Sequence, residues 1–191
     1  MNKKSTLWNA PNVLTMFRVV FSIGIFVLLP FDLYAVCIVL FLLASATDYF
    51  DGYLARKYNL ITVFGRIMDP FADKLLICGC FIYLCAIPEL REVPFGMHPW
   101  MAVVVFGREM LITSLRAFVE KSGGDFSAKW IGKWKMGLQC VAVPACLLFL
   151  IVPESVCVKY IMLISLWGTV LITLYSGYIY IVNATKMINE Q

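Results

Sequence analysis

The sequence predicts an all-α, polytopic membrane protein in which residues 1–191 form one domain of six transmembrane helices. Two observations lead to this fold class. Hydrophobic residues make up 61% of the chain and charged residues 15%, with a mean hydropathy of +0.83, which is far from the composition of soluble domains. Apolar stretches of about 20 residues, the length that spans a bilayer, can also be placed six times with little chain left between them.

The six predicted spans follow one another closely. They cover residues 12–30, 33–56, 66–87, 99–120, 131–152 and 157–184. The connections between them contain Pro30, Pro88, Pro94, Pro99 and Pro153, and a missing backbone donor does no harm there. The segment 1–11 has no apolar core of the signal-peptide kind, so we expect a short interfacial segment with Trp8 at the level of the lipid headgroups.

The distribution of Lys and Arg predicts the orientation. Ten of these cations fall at the termini and in the 2–3 and 4–5 connections with the adjoining helix ends, whereas the opposite connections hold only Arg91 and Lys159. By the positive-inside rule, both termini then lie on the cytoplasmic side of the cell's inner (cytoplasmic) membrane. The net charge of +4 is modest, which favours an anionic lipid surface over nucleic acid as the partner.

Four aspartates are concentrated in the second and third predicted helices. Asp48 and Asp51 lie three residues apart and Asp69 and Asp73 lie four apart, so each pair shares one helical face. An ionised carboxylate at bilayer depth costs roughly 2.5–3.5 kcal/mol, and four of them therefore require a common function. A cluster of hard divalent cations, magnesium or manganese, would supply it. Seven cysteines without a CxxC pair and a single histidine argue against zinc.

Small residues share the helical faces that carry the aspartates. Gly52 and Ala55 continue the face of the first pair, and Gly65 lies one turn before Asp69. Short side chains permit close helix contact or the approach of a ligand. Pro70 cannot donate to the carbonyl four residues earlier, so it belongs either to the first turn of its helix or to a loosened stretch.

The spacing of these residues resembles a family signature. It reads Asp48-x2-Asp51-Gly52-x2-Ala55-Arg56-x8-Gly65-x3-Asp69-x3-Asp73. At every fixed position it is similar to the signature of the CDP-alcohol phosphotransferase (phosphatidyltransferase) family. The resemblance implies a six-helix membrane enzyme, usually a homodimer, that cleaves the pyrophosphate of a CDP-linked lipid and transfers its phosphatidyl group to an alcohol.

The resemblance also implies roles for individual residues. Asp48, Asp51 and Asp69 are expected to bind a pair of Mg²⁺ or Mn²⁺ ions, and Asp73 is expected to be the general base and to contact the second ion. The segment from Asn9 to Arg18 is similar to the opening segment of bacterial members. Contacts with the CDP-lipid are implied for Asn12, Thr15, Gly52, Ala55, Arg56 and Gly65.

A second set of residues resembles the acceptor half of the members that use sn-glycerol 3-phosphate. The resemblance rests on Arg108-Glu109-Met110, Leu115-Arg116, the run from Trp130 to Met136, and Gln139. It implies that the acceptor phosphate is surrounded by Arg108, Arg116, Lys133 and Lys135. The expected substrates are therefore CDP-diacylglycerol and sn-glycerol 3-phosphate. Met136 departs from the pattern, since those members commonly have a hydroxyl residue there.

Alternatives remain for the acceptor and for the class of protein. A sibling enzyme would use phosphatidylglycerol, as a cardiolipin synthase does, or inositol phosphate or serine. A divalent-cation or proton transporter would also use intramembrane aspartates, whereas an intramembrane aspartyl protease needs only one pair of aspartates.

The predicted acceptor cations also have alternative roles. Isolated loop lysines such as Lys133 and Lys135 serve as positive-inside anchors, and Arg108 has Glu109 or Glu120 as a possible ion-pair partner.

Overall fold

The computed structural model describes residues 9–58, 62–121 and 130–189. Inside the helices, the side chains at 49, 52–56, 117–121, 130, 131, 133 and 186–189 lie outside this description. All regular structure in the described ranges is helical, as the sequence predicts. The expected interfacial segment with Trp8 falls almost entirely outside them.

The described part of the chain contains seven α-helices and a short 3₁₀ turn at Leu29–Phe31. The α-helices are α1 (Ala10–Leu28), α2 (Tyr34–Lys57), α3 (Val63–Leu84), α4 (Pro88–Glu92), α5 (Pro99–Lys121), α6 (Trp130–Ile151) and α7 (Val156–Asn189). The six long helices lie within a few residues of the predicted spans. The five-residue helix α4 was not predicted; Pro88 begins it at a position where the missing N–H would have no helical partner.

Side-chain caps fix the first residues of helices α1 and α3. Asn9 caps α1, because its side chain accepts a hydrogen bond from the Asn12 N–H at 3.0 Å. Thr62 caps α3 by accepting from the Gly65 N–H at 3.0 Å. Since α3 begins at Val63, Pro70 lies inside the helix and not in its first turn. The α-helical bond that would end on the Arg66 carbonyl is therefore missing.

Helix α1 packs against both α2 and α3, whereas α2 and α3 contact each other much less. Helix α6 packs against α7 and α2, and α5 packs against α7 and α3. The core between them contains large apolar side chains with no more than 1% exposure, including Ile25, Phe41, Phe81, Leu84, Met101 and Leu147. Helix α1 therefore supplies the surface through which the two aspartate-bearing helices meet.

Within the described ranges, three stretches are long and apolar enough to cross a membrane: Ala10–Phe31, Trp134–Ile151 and Val156–Thr185. A shorter apolar stretch, Tyr34–Asp48, lies in α2. Outward faces of the bundle carry exposed aliphatic side chains such as Val20, Val103 and Ile164, which suits a lipid environment. Length and hydropathy thus support three of the six predicted spans.

Candidate active site

Arg18 of α1 joins three of the four aspartates of the signature. Its guanidinium Nη1 lies 3.2 Å from Asp48 Oδ1 and 2.5 Å from Asp73 Oδ1, and its Nη2 pairs with Asp51 Oδ2. Arg18 is completely buried. The two carboxylate pairs predicted on α2 and α3 therefore meet, and they meet around a cation from α1. The sequence interpretation did not include Arg18 among the site residues, although a lone arginine within an apolar helix is a signal of function.

The fourth aspartate, Asp69, is hydrogen-bonded by Thr15, which lies close to Arg18 on α1. Thr15 Oγ1 donates a hydrogen bond to Asp69 Oδ1 at 2.6 Å, and Thr15 is fully buried. Thr15 and Arg18 are three residues apart and so share one face of α1. A single face of α1 therefore contacts all four carboxylates.

Asn12 and Gly65 pack together at the edge of this cluster. Thr62 Oγ1 donates to Asn12 Oδ1 at 3.0 Å, and Asn12 is 3% exposed. A Cβ atom at position 65 would lie 2.8 Å from Asn12 Oδ1 and 3.8 Å from Asp69 Oδ2. Gly65 therefore leaves room for the Asn12 side chain between α1 and α3, whether or not it also contacts the CDP-lipid.

We expect Gly65→Ala to destabilise the protein. The added methyl group would overlap Asn12 Oδ1, which cannot move without giving up its bond to Thr62, and such overpacking typically costs about 1–3 kcal/mol. The melting temperature in detergent should fall accordingly. Gly137→Ala on α6 is the control: apart from the backbone of its own helix, no atom lies within 4 Å of its added Cβ, and alanine is the better helix former by up to about 1 kcal/mol. Equal melting temperatures for the two variants would contradict this packing role.

The charges and donor atoms of the cluster fit hard divalent cations. Three carboxylates around one guanidinium leave two formal negative charges uncompensated, and all the donor atoms are oxygens, which Mg²⁺ and Mn²⁺ prefer. Among the described residues, no three Asp, Glu, His or Cys side chains are already arranged around a single point where an ion would fit. The carboxylates are instead gathered on Arg18.

A cavity of about 460 Å³ connects the aspartates with the predicted acceptor-binding residues. Its lining includes Asp69 and Asp73 of α3, Arg108 and Arg116 of α5, and Lys135 of α6. Residues from three helices that are far apart in the sequence thus face one space. This arrangement places the expected general base and three of the four expected acceptor cations around the same volume.

Glu109 connects two of these cations. Lys135 Nζ pairs with Glu109 Oε1, and Arg108 Nη1 lies 3.4 Å from the same oxygen. Arg108 Nε donates to Ser176 Oγ at 3.0 Å, and its guanidinium lies 5.5 Å from the centre of the Tyr180 ring. The alternative that Arg108 pairs with Glu109 is therefore confirmed, but the pair still lines the cavity and does not exclude a ligand there.

Some predicted site residues fall on side chains that the structure does not describe. Positions 52, 55 and 56 belong to α2 and position 133 to α6. The roles expected for Gly52, Ala55, Arg56 and Lys133 therefore stay predictions.

Comparison with known proteins gives consistent results. A family model described as CDP-alcohol phosphatidyltransferase matches residues 8–175. The CDP-diacylglycerol–glycerol-3-phosphate 3-phosphatidyltransferase of Bacillus subtilis is 36% identical to this chain. The match covers 91% of the length of this chain and 94% of the length of the Bacillus protein. The protein of the same name from Rickettsia typhi is 34% identical over 90% of this chain and 94% of the Rickettsia protein. The one from Yersinia enterocolitica is 41% identical over 69% of this chain and 72% of the Yersinia protein.

Proposed function

This chain belongs to the CDP-alcohol phosphatidyltransferase family, and we propose on that basis that it transfers the phosphatidyl group of CDP-diacylglycerol to sn-glycerol 3-phosphate. The products are phosphatidylglycerophosphate and CMP. The names of the similar bacterial proteins support this acceptor. The structural observation that carries the proposal is the cavity shared by Asp73 and the cations Arg108, Arg116 and Lys135, since a dianionic acceptor needs cationic groups within reach of the base.

On the donor side, the four aspartates Asp48, Asp51, Asp69 and Asp73 would hold two Mg²⁺ or Mn²⁺ ions. Bound there, the ions would neutralise the diphosphate of the CDP-lipid and the charge that develops on the leaving CMP. Arg18 and Thr15 hold the carboxylates in place from α1. Preorganised charge of this kind is the main contribution that proteins make to phosphoryl transfer.

On the acceptor side, the terminal hydroxyl of glycerol 3-phosphate attacks the phosphatidyl phosphorus. The bond between that phosphorus and the oxygen bridging to CMP breaks, and CMP leaves with the bonding electrons. The hydroxyl proton passes to the carboxylate of Asp73, which lines the cavity and would act as the general base. Arg108, Arg116 and Lys135 orient the acceptor by binding its phosphate.

The proposed membrane arrangement uses the orientation that the Lys and Arg distribution predicts, and it suits the two substrates. Helices α1, α2, α3, α5, α6 and α7 would each cross the bilayer, with α4 on the external side. The aspartates and the cavity would then lie toward the cytoplasmic leaflet, where the lipid donor and the water-soluble acceptor can both reach them. A homodimer, expected from the family resemblance, is part of the proposal.

The proposal is tested by CMP release from CDP-diacylglycerol in detergent micelles with purified protein. Glycerol 3-phosphate should be the best acceptor, glycerol should be very poor, and EDTA should abolish release until excess Mg²⁺ or Mn²⁺ is added. Faster release with phosphatidylglycerol, inositol phosphate or serine would assign the protein to a sibling activity. Full activity in chelator, with metal content measured as nil, would refute the two-metal site.

A further inference from the structure

Gln139 of α6 is a buried amide with an unused donor at the wall of the cavity. Its side chain is 1% exposed, it lines the cavity, and its Nε2 has no hydrogen-bond partner among the described residues. It lies one helical turn from Lys135 on the same face of α6. Because buried donors are almost always paired, an unpaired amide at a cavity wall indicates a group that arrives with a ligand.

The neighbouring polar groups restrict what that ligand group can be. Glycerol 3-phosphate has three polar parts: the phosphate, the terminal hydroxyl that reacts, and the hydroxyl on the middle carbon. Charged donors such as Arg116 and Lys135 suit the phosphate, and the carboxylate of Asp73 suits the reacting hydroxyl. The middle hydroxyl then needs a neutral partner, and the neutral amide donor of Gln139 suits a neutral hydroxyl oxygen.

We propose that Gln139 binds the middle hydroxyl of the acceptor, with Nε2 donating to the hydroxyl oxygen. Gln139 is then a specificity-determining residue, which selects glycerol 3-phosphate over phosphate monoesters that lack this hydroxyl. Sites built to hydrogen-bond a substrate hydroxyl discriminate strongly against analogues without it, because the site's own polar group is left unpaired. This assignment rests on the proposed function and adds a residue to its acceptor site.

The test compares two acceptors that differ only in this hydroxyl, sn-glycerol 3-phosphate and 3-hydroxypropyl phosphate. We expect the wild type to prefer glycerol 3-phosphate in kcat/KM on the order of 10- to 100-fold, as loss of one buried hydrogen bond implies. Gln139→Met should lower kcat/KM for glycerol 3-phosphate by about the same factor and leave the value for the analogue unchanged. The ratio of kcat/KM for glycerol 3-phosphate to kcat/KM for the analogue should therefore fall to about one.

The stability of the same variant separates binding from a structural role. Without acceptor, Gln139→Met should melt at the same temperature as the wild type or higher, because an apolar side chain of similar size replaces an unpaired buried amide. A residue needed for the fold would show the opposite. Gln139→Asn, which stays polar but withdraws the amide by one methylene, should lose selectivity in the same way.

Thr113→Val is the matched control. Thr113 also lines the cavity, but its hydroxyl already donates to the Glu109 carbonyl at 2.9 Å, so its removal should leave the selectivity unchanged. An equal fall for both acceptors in Gln139→Met, or a wild type without preference, overturns the assignment. A wild type that releases no CMP with glycerol 3-phosphate overturns the proposed function itself, whereas an active wild type with unaltered selectivity in Gln139→Met overturns the role of Gln139 alone.

Discussion

Arg18→Met is expected to lower the free energy of unfolding by on the order of 3–5 kcal/mol in chelator, the typical cost of leaving buried ion-pair partners uncompensated. Arg18 has no exposed surface, and the Asp51 side chain that it contacts is 5% exposed. Without the guanidinium, the carboxylates of Asp48, Asp51 and Asp73 would repel one another at close range, with Asp51 the most buried of the three. The measurement is thermal or denaturant unfolding in detergent with EDTA present.

Added Mg²⁺ should restore a larger part of the stability in Arg18→Met than in the wild type, because divalent ions would supply the missing positive charge. Arg18→Lys should be intermediate, since one ammonium group cannot bridge three carboxylates in the way that a planar guanidinium can. Arg66→Met on the exposed side of α3 is the control and should change stability by well under 1 kcal/mol. An Arg18→Met protein as stable as Arg66→Met would show that the ion pairs contribute nothing.

Asp73→Asn is expected to reduce turnover by a factor of roughly 10²–10⁴, the usual contribution of a general base. The amide keeps the shape of the side chain but cannot accept the hydroxyl proton. Binding of the CDP-lipid should survive in large part, because the other three carboxylates remain. Turnover is measured as CMP release, and binding as calorimetric titration with the nucleotide.

The variant Asp51→Asn distinguishes the proposed role of metal ligand from the role of general base that is proposed for Asp73. Asp51 is the most buried partner of Arg18, so its replacement should weaken nucleotide binding as well as turnover. Asp32→Asn, in the exposed turn before α2, should alter neither quantity. Weaker nucleotide binding in Asp73→Asn than in Asp51→Asn would mean that the assigned roles are reversed.

Much of the fold could be predicted from local sequence, because hydrophobic length and turn residues are local properties. The six long helices begin and end within a few residues of the predicted spans. The short helix α4 was missed because a five-residue helix has no hydrophobic periodicity to detect. The position of Pro70 inside α3 also required the structure, since the capping of that helix by Thr62 sets its first turn.

The sequence predicted many of the residues of the candidate site, but few of the contacts between them. Spacing alone placed Asp48 with Asp51 and Asp69 with Asp73 on shared faces, because helical geometry fixes those relations. The links made by Arg18, by Thr15 and by Glu109 join residues 26 to 55 positions apart in the sequence. Such contacts depend on which helix faces pack together, and periodicity does not specify that.

The sequence by itself determined the helical class, the two aspartate pairs and the resemblance to the CDP-alcohol phosphatidyltransferases. Only the tertiary structure decided that α1 lies against both aspartate helices, that its arginine neutralises part of their charge, and that one cavity joins Asp73 to the cations of α5 and α6. The physical reason is that a helix forms from short-range hydrogen bonds and local propensity, whereas a site between helices forms only where packing brings distant side chains into contact.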